Sequence, residues 1–178
     1  LNEDGTTMVI WNWKANGGTT TTNDASSTGI GTIDSVFQAN TTAGFSIVTY
    51  TGTGSNATVG HGLDNAPEVL LVKSRETSTF WMVYHIGLGA NTSYMSLNTT
   101  LAVDTGGASV WNSTTPTDSV FSIGTSSFVN PSSDMVAYCF HSVDGYSKMG
   151  SYTGNADHGD GPFVFLGFKP AWIMIKSA

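Results

Sequence analysis

Short apolar segments in which every second position is polar recur along the chain, separated by Gly, Asn, Asp and Ser. This alternation is typical of β-strands, whereas helical spacing of apolar residues is almost absent. The pattern predicts an all-β fold, an antiparallel β-sandwich. The predicted strands are 8–14, 45–51, 68–74, 80–85, 94–97, 119–123, 134–142, 147–152, 161–165 and 171–176.

The segment 16–43 lacks this alternation over its first half, where Gly, Thr, Asn and Ser dominate. Such a polar stretch offers little apolar area to offset the entropy lost on ordering. We therefore expect residues 16–43 to be a linker or surface loop.

An internal repeat divides the rest of the chain. Residues 44–52 match 145–154 with one inserted residue, residues 66–74 match 170–177, and residues 8–13 echo 135–140. The repeat predicts one sandwich unit over 44–143. Residues 1–15 would then be the closing strand of a preceding or neighbouring unit, and residues 144–178 the opening strands of a second, incomplete repeat.

This organisation predicts how the apolar side chains of the first segment, Val9, Trp11 and Trp13, are buried. A strand with an apolar face and a bare edge favours association. Three arrangements are open: a longer chain of tandem repeats, copies joined head to tail by exchanged strands, or one compact domain in which the first and last strands pair. The first residue is Leu, which leads us to expect a piece of a longer or processed chain.

Several motifs resemble a known family. The string Val59-Gly60-His61-Gly62-Leu63 is followed by an Ala-Pro pair and the apolar run 69–73, and later by 81–85, 136–140 and 150–155. In this order they resemble repeat domains of unknown function in tail-fibre or appendage-like proteins of marine tailed phages and environmental viruses. The resemblance implies a sandwich of jelly-roll or concanavalin-like type on a virion surface or in another extracellular location. It implies no activity for any residue.

Composition and charge narrow the class of partner. The net charge is -7 with only six Lys and Arg, which are scattered singly, so we expect neither nucleic acid nor membrane as a partner. Apolar runs are also far shorter than the roughly 20 residues that span a bilayer. The single cysteine, Cys139, excludes a disulfide framework and lies in an apolar strand pattern, which predicts a buried structural thiol.

Catalytic and cofactor motifs are weak. No predicted strand carries two carboxylates on one face, as glycoside cleavage needs, and the Gly-x-Ser-x-Gly motif is absent. We therefore expect no enzyme activity and no cofactor. The weak metal candidates are Asp157, His158 and Asp160, which cluster around a Gly but are more typical of a turn.

Two surface features remain. Trp11 and Trp13 share one strand face and could stack on sugar rings, although aromatic residues more often fill β cores. The sequence also carries five possible N-glycosylation sites, at Asn40, Asn56, Asn91, Asn98 and Asn112.

These observations predict a non-enzymatic structural protein: a repeat module of a phage tail fibre, virion appendage or extracellular filament that assembles with itself head to tail. The alternative is a carbohydrate-binding or adhesin module that recognises surface glycans on a host. Alternation within the predicted strands places Ile47, Val69, Leu71, Trp81, Val83, Phe121, Val136 and Tyr138 in the core.

Overall fold

The computed structural model describes residues 7, 10 and 12–178. Within them the chain is mostly β, as predicted. The helical elements are short: α1 (Ala25–Thr28), α2 (Ala108–Trp111) and a 3₁₀ turn at Ile86–Leu88. The strands are β1 (Thr21–Asn23), β2 (Ser35–Asn40), β3 (Phe45–Thr51), β4 (Ala57–Gly60), β5 (Val69–Ser74), β6 (Met82–His85), β7 (Met95–Ser96), β8 (Val120–Ile123) and β9 (Asp134–Phe140).

The strands form two antiparallel sheets. The larger sheet has seven strands in the order β1-β2-β3-β9-β5-β6-β7, and the smaller pairs β4 with β8. The last strand of the unit, β9, therefore lies between β3 and β5 and is hydrogen-bonded on both sides. The all-β sandwich is confirmed, while its jelly-roll or concanavalin-like type stays a prediction.

The main core lies between the two sheets. We call the side of the seven-stranded sheet that packs on β4 and β8 its inner face. Alternate residues point to opposite faces of a strand, and this face carries fully buried apolar side chains from each central strand. They are Val48 and Tyr50 in β3, Leu70 and Val72 in β5, and Met135, Ala137 and Cys139 in β9. Phe121 and Val59 meet them from the smaller sheet.

The predicted core was largely assigned to the wrong face. Of its members only Val69, Val83 and Phe121 are buried, while Ile47, Leu71, Trp81, Val136 and Tyr138 are partly exposed. The period of two was right, but both faces of the central strands are apolar. Alternation alone cannot then choose the inner face, and a shift of one residue exchanges the two.

The segment 16–43 is not a linker. It contributes β1 and β2, and β2 pairs with β3 over six residues. Its polar side chains hold it in place: buried Asn23 donates to the Ile30 carbonyl at 2.9 Å, and Ser35 donates to the Gly60 carbonyl at 3.0 Å. Hydrogen bonds replace the missing apolar area, which composition could not reveal.

The strands predicted after residue 144 are wrong for this chain. Residues 144–178 form no strand and contain only an isolated bridge from Ser147 to Val143. The predicted strand 8–14 falls partly outside the described residues, and its described members 10 and 12–14 are not in a strand. The expected opening strands of a second unit are therefore irregular chain with turns and bends, outside any sheet.

Candidate assembly surface

Residues 144–178, the C-terminal segment, leave many large apolar side chains in solvent. Phe163 is 88% exposed, Phe165 77% and Ile175 67%. Further exposed members are Tyr146, Tyr152, Val164, Trp172, Ile173 and Met174. So many exposed large apolar side chains in one segment are unusual on a monomeric protein and are typical of a surface that is covered by a partner.

Two anchors hold the C-terminal segment against the sheet. At its start, the Glu68 carboxylate accepts hydrogen bonds from the Ser142 backbone and hydroxyl, and the Met149 N–H donates to the Ser142 hydroxyl at 3.0 Å. Near its end, Lys176 Nζ donates to the Thr99 carbonyl at 3.1 Å. Between these anchors the segment has no ladder to hold it.

The C-terminal segment lies over the outer face of the seven-stranded sheet, the side opposite β4 and β8. A second apolar cluster occupies this face, with Val69, Val83 and Met95 buried and Met149 packed against them. This cover explains why apolar residues alternate on both faces of β5 and β9. The seven-stranded sheet is thus covered on both faces, by β4 and β8 on the inner face and in part by the C-terminal segment on the outer face.

Trp13 belongs to this outer cover. Its ring lies 6.3 Å from Phe45, 6.1 Å from Phe140 and 5.3 Å from Trp172, measured between ring centroids. The ring is still 43% exposed. Of the three predicted assembly residues, Trp13 therefore contacts both the sheet and the C-terminal segment, while Val9 and Trp11 lie outside the described residues.

The metal candidates form a turn. The Asp157 carboxylate accepts the Gly159 N–H at 2.8 Å and the Asp160 N–H at 3.2 Å, and the Asn155 amide donates to the Asp160 carbonyl. His158 is exposed on the same turn. Among the residues that the structure describes, no group of three or more His, Cys, Asp or Glu side chains could hold a metal ion. The cluster therefore has the hydrogen bonds of a turn-forming Asp.

The Gly60-His61-Gly62 motif is explained by packing. His61 is fully buried, its Nδ1 accepts the Leu63 N–H at 3.2 Å, and its Nε2 lies 3.1 Å from the Thr117 carbonyl. Because Nδ1 accepts, Nε2 carries the proton and donates. Gly62 has a φ of +72°, and a Cβ there would lie 2.1 Å from the Phe37 ring. The motif thus ties the end of β4 to the loop before β8 through the hydrogen bond between His61 and Thr117.

His61 should make stability depend on pH. Burial lowers its pKa to about 4, despite the Thr117 hydrogen bond and nearby Asp118, which raise it. As the pH falls, the unfolded chain therefore binds the proton before the folded chain does. The contribution of His61 to the free energy of unfolding is complete above pH 6.5 and is lost as the pH falls towards 4. The loss is about 3 kcal/mol. The free energy of unfolding, measured with urea at pH 7, 5 and 4, should fall less with decreasing pH for His61→Gln than for the natural chain. For exposed His158→Gln the fall should equal that of the natural chain. The same pH dependence in all three proteins would contradict this assignment.

The possible glycosylation sites differ in access. Asn56 and Asn98 are exposed, whereas Asn40, Asn91 and Asn112 are partly buried. The amide nitrogen to which a glycan would attach is engaged at two of these, donating from Asn91 to the Ser113 carbonyl at 2.6 Å and from Asn40 to Lys14 and Ala15. Modification there would break these hydrogen bonds, so Asn56 and Asn98 are the more accessible sites.

An open groove of about 450 Å³ lies beside the edge strand β7. Phe80 and Phe128 form an aromatic pair in it at 5.5 Å. Its carboxylate, Asp104, already accepts the Gly106 N–H at 2.7 Å and the Tyr94 hydroxyl at 3.0 Å. The groove lining is therefore mixed, polar and apolar, and the Asp104 carboxylate is already hydrogen-bonded within the chain.

Asn130 is an important buried residue that the sequence analysis did not identify. It is fully buried, donates to the Ser55 and Gly124 carbonyls at 2.6 and 2.7 Å, and accepts the Thr53 N–H at 2.7 Å. It thereby connects the turns after β3 and β8. No local signal marks this role, since Asn is equally common in exposed turns.

Together the sheets and their outer cover define an all-β protein with an incompletely paired C-terminal segment. The chain belongs to a family described as "Domain of unknown function (DUF7483)", whose profile matches residues 1–178. No match was found among curated proteins or among solved structures. No helix within the described part of the chain is both long and apolar enough to cross a membrane.

Proposed function

We propose that this protein is a non-enzymatic structural module that assembles with further copies or tandem units head to tail, as part of a virion appendage or another extracellular filament. One observation carries the proposal: the C-terminal segment exposes nine large apolar side chains and forms no strand. The appendage setting is supported by the sequence motifs that resemble tail-fibre repeats.

The energetics favour covering this segment. Burying one Phe or Ile side chain contributes about 1.5–3 kcal/mol, and a backbone without strand partners gains hydrogen bonds when it joins a sheet. Several such side chains are exposed here, which is enough to offset the entropy of association. The segment therefore has the chemistry of a donated or accepted strand.

The edges of the seven-stranded sheet are poor sites for association. The edge strands β1 and β7 have only three and two residues. Short edges limit the number of hydrogen bonds that a second sheet could add. Growth through the C-terminal segment therefore agrees better with this architecture than side-by-side addition of sheets.

The proposal is tested by adding charge to the C-terminal segment. We expect the natural chain to form end-to-end assemblies in light scattering and electron microscopy, and Ile173→Glu/Ile175→Glu to weaken assembly at least about 100-fold, because two apolar side chains are lost from the contact. Both positions are exposed, so the fold should remain intact by circular dichroism.

A matched control is Thr115→Glu/Thr125→Glu, which adds the same charge on exposed loops. It should assemble like the natural chain. A monomeric natural chain, or equal assembly of the Ile variant and the natural chain, would overturn the proposal.

Carbohydrate binding remains the alternative prediction. The groove beside β7 offers an aromatic pair, but the Asp104 oxygens that would bind sugar hydroxyls already serve the backbone and Tyr94. Trp13, the described member of the predicted stacking pair, packs on Phe45 and Phe140. The geometry thus favours assembly over glycan recognition.

A further inference from the structure

The position of β9 between β3 and β5 predicts how the repeated segments at the two ends of the chain would pair. Phe140 of β9 lies opposite Phe45 of β3 on one side and opposite Val69 of β5 on the other. In the sequence repeat, residues 8–13 correspond to β9, and residues 145–154 and 170–177 correspond to the regions of β3 and β5. A strand formed by 8–13 would therefore lie antiparallel between the latter two, with Trp13 opposite Trp172.

The folded chain contains that contact. The Trp13 and Trp172 rings are 5.3 Å apart with their planes nearly perpendicular, a favourable aromatic geometry. The register comes from the repeat and the pairing of β9, whereas the contact comes from the packing of the outer cover. Their agreement supports the register.

Among the described residues, the side-chain contact of the two tryptophans does not extend to Ile10 and Ile175 within one chain. In the same register Ile10 would lie opposite Ile175, as Ala137 lies opposite Val72. Ala137 and Val72 are fully buried, whereas Ile10 is 74% and Ile175 67% exposed. Two apolar residues that correspond to core positions therefore remain without a core.

The anchors of the two segments explain why the chain does not pair them itself. Asn40, at the end of β2, binds the Lys14 and Ala15 carbonyls, while Lys176 binds Thr99 beyond β7. Five strand spacings separate β2 from β7, which is about 24 Å. The two segments approach from opposite sides of the sheet and meet where the Trp side chains reach each other.

We propose that the segment carrying Ile10 and Trp13 of a second copy completes the ladder, inserted antiparallel between 146–152 and 171–176. It takes the place of the chain's own Trp13 against Trp172, with Ile10 of one copy opposite Ile175 of the other. This inference rests on the proposed assembly function and specifies its partner segment and register. The partner is another copy of this chain, because the complementary strand pattern lies in the chain itself. Such an exchange is directional and extends as a linear array unless it closes into a ring.

The register is tested by cross-linking two differently tagged full-length chains, one carrying Ile10→Cys and the other Ile175→Cys. Residues opposite each other in antiparallel strands have Cα separations that suit a disulfide. We expect mild oxidation to give a mixed dimer at least tenfold more efficiently than the shifted pair Ile10→Cys with Ile173→Cys. Cys139 is fully buried, and the natural chain controls for its contribution.

The outcomes separate the register from assembly, which light scattering measures in parallel on the reduced samples. Assembly with equal or preferred cross-linking of the shifted pair would overturn the register and leave the proposed function standing. Cross-linking only within one chain of the double variant Ile10→Cys/Ile175→Cys would also overturn the exchange between copies. If the reduced chains do not assemble at all, the proposed function fails together with this inference.

Discussion

Replacing Asn130 with alanine is expected to destabilise the protein by about 2–4 kcal/mol, because it removes a fully buried amide that makes three short hydrogen bonds to the backbone and leaves the buried Gly124 carbonyl without its donor. The side chain donates to the Ser55 and Gly124 carbonyls and accepts the Thr53 N–H, with a longer contact of 3.4 Å from the Gly54 N–H. The Ser55 carbonyl keeps a hydrogen bond from the Thr53 hydroxyl at 3.2 Å, whereas the buried Gly124 carbonyl loses its side-chain donor. Urea unfolding at pH 7 should show a lower midpoint with a similar slope.

Asn56→Ala is the matched control, since this asparagine is exposed on the neighbouring turn. Its effect should be within about 0.5 kcal/mol. Asn130→Asp keeps the shape but turns a donor into an acceptor that faces two carbonyls, so it should be as damaging as alanine. A loss at Asn130 no larger than that at Asn56 would show that water replaces the hydrogen bonds.

Phe121→Ala should lower the free energy of unfolding by about 3–5 kcal/mol, because it opens a cavity between the sheets. Phe121 is fully buried in β8 and packs edge-on against Tyr50 of β3, with ring centroids 6.0 Å apart. It is the largest side chain that the smaller sheet contributes to the core. Thermal and urea unfolding should both report the loss.

Phe163→Ala provides the contrast, because its side chain is 88% exposed on the C-terminal segment. It should leave the stability of the monomer unchanged within about 0.5 kcal/mol. Comparable destabilisation by both substitutions would mean that the C-terminal segment is part of the folding core and would contradict the layer assignment.

Strands with clear alternation were predictable from sequence. The bounds of β3 were predicted to the residue, and β5, β6, β8 and β9 to within two residues. β2 and β4 were missed. β4 has only four residues and contains Gly60, and β2 follows a polar stretch whose order depends on hydrogen bonds such as that from Asn23 to Ile30. Local composition carries neither kind of information.

The choice of core face and the state of the C-terminal segment were harder for a different reason. Leu70 and Leu71 are adjacent and equally apolar, yet one faces β4 and β8 and the other faces the outer cover. Likewise, residues 171–176 have a strand-like pattern, but a strand needs a partner at its edge. Both properties depend on tertiary packing, whereas the repeat itself was visible in the sequence.

The central position of β9 also determines how the protein responds to mechanical load. β9 pairs with β3 over seven residues and with β5 over six. The chain passes from β9 through a turn at 143–147 into the C-terminal segment, so a pull that opens this turn acts along the strand axis. Antiparallel hydrogen bonds run perpendicular to the strand, so such a pull shears both ladders simultaneously instead of opening one bond after another. A filament joined through this segment would therefore transmit tension into the most firmly bonded strand of each subunit.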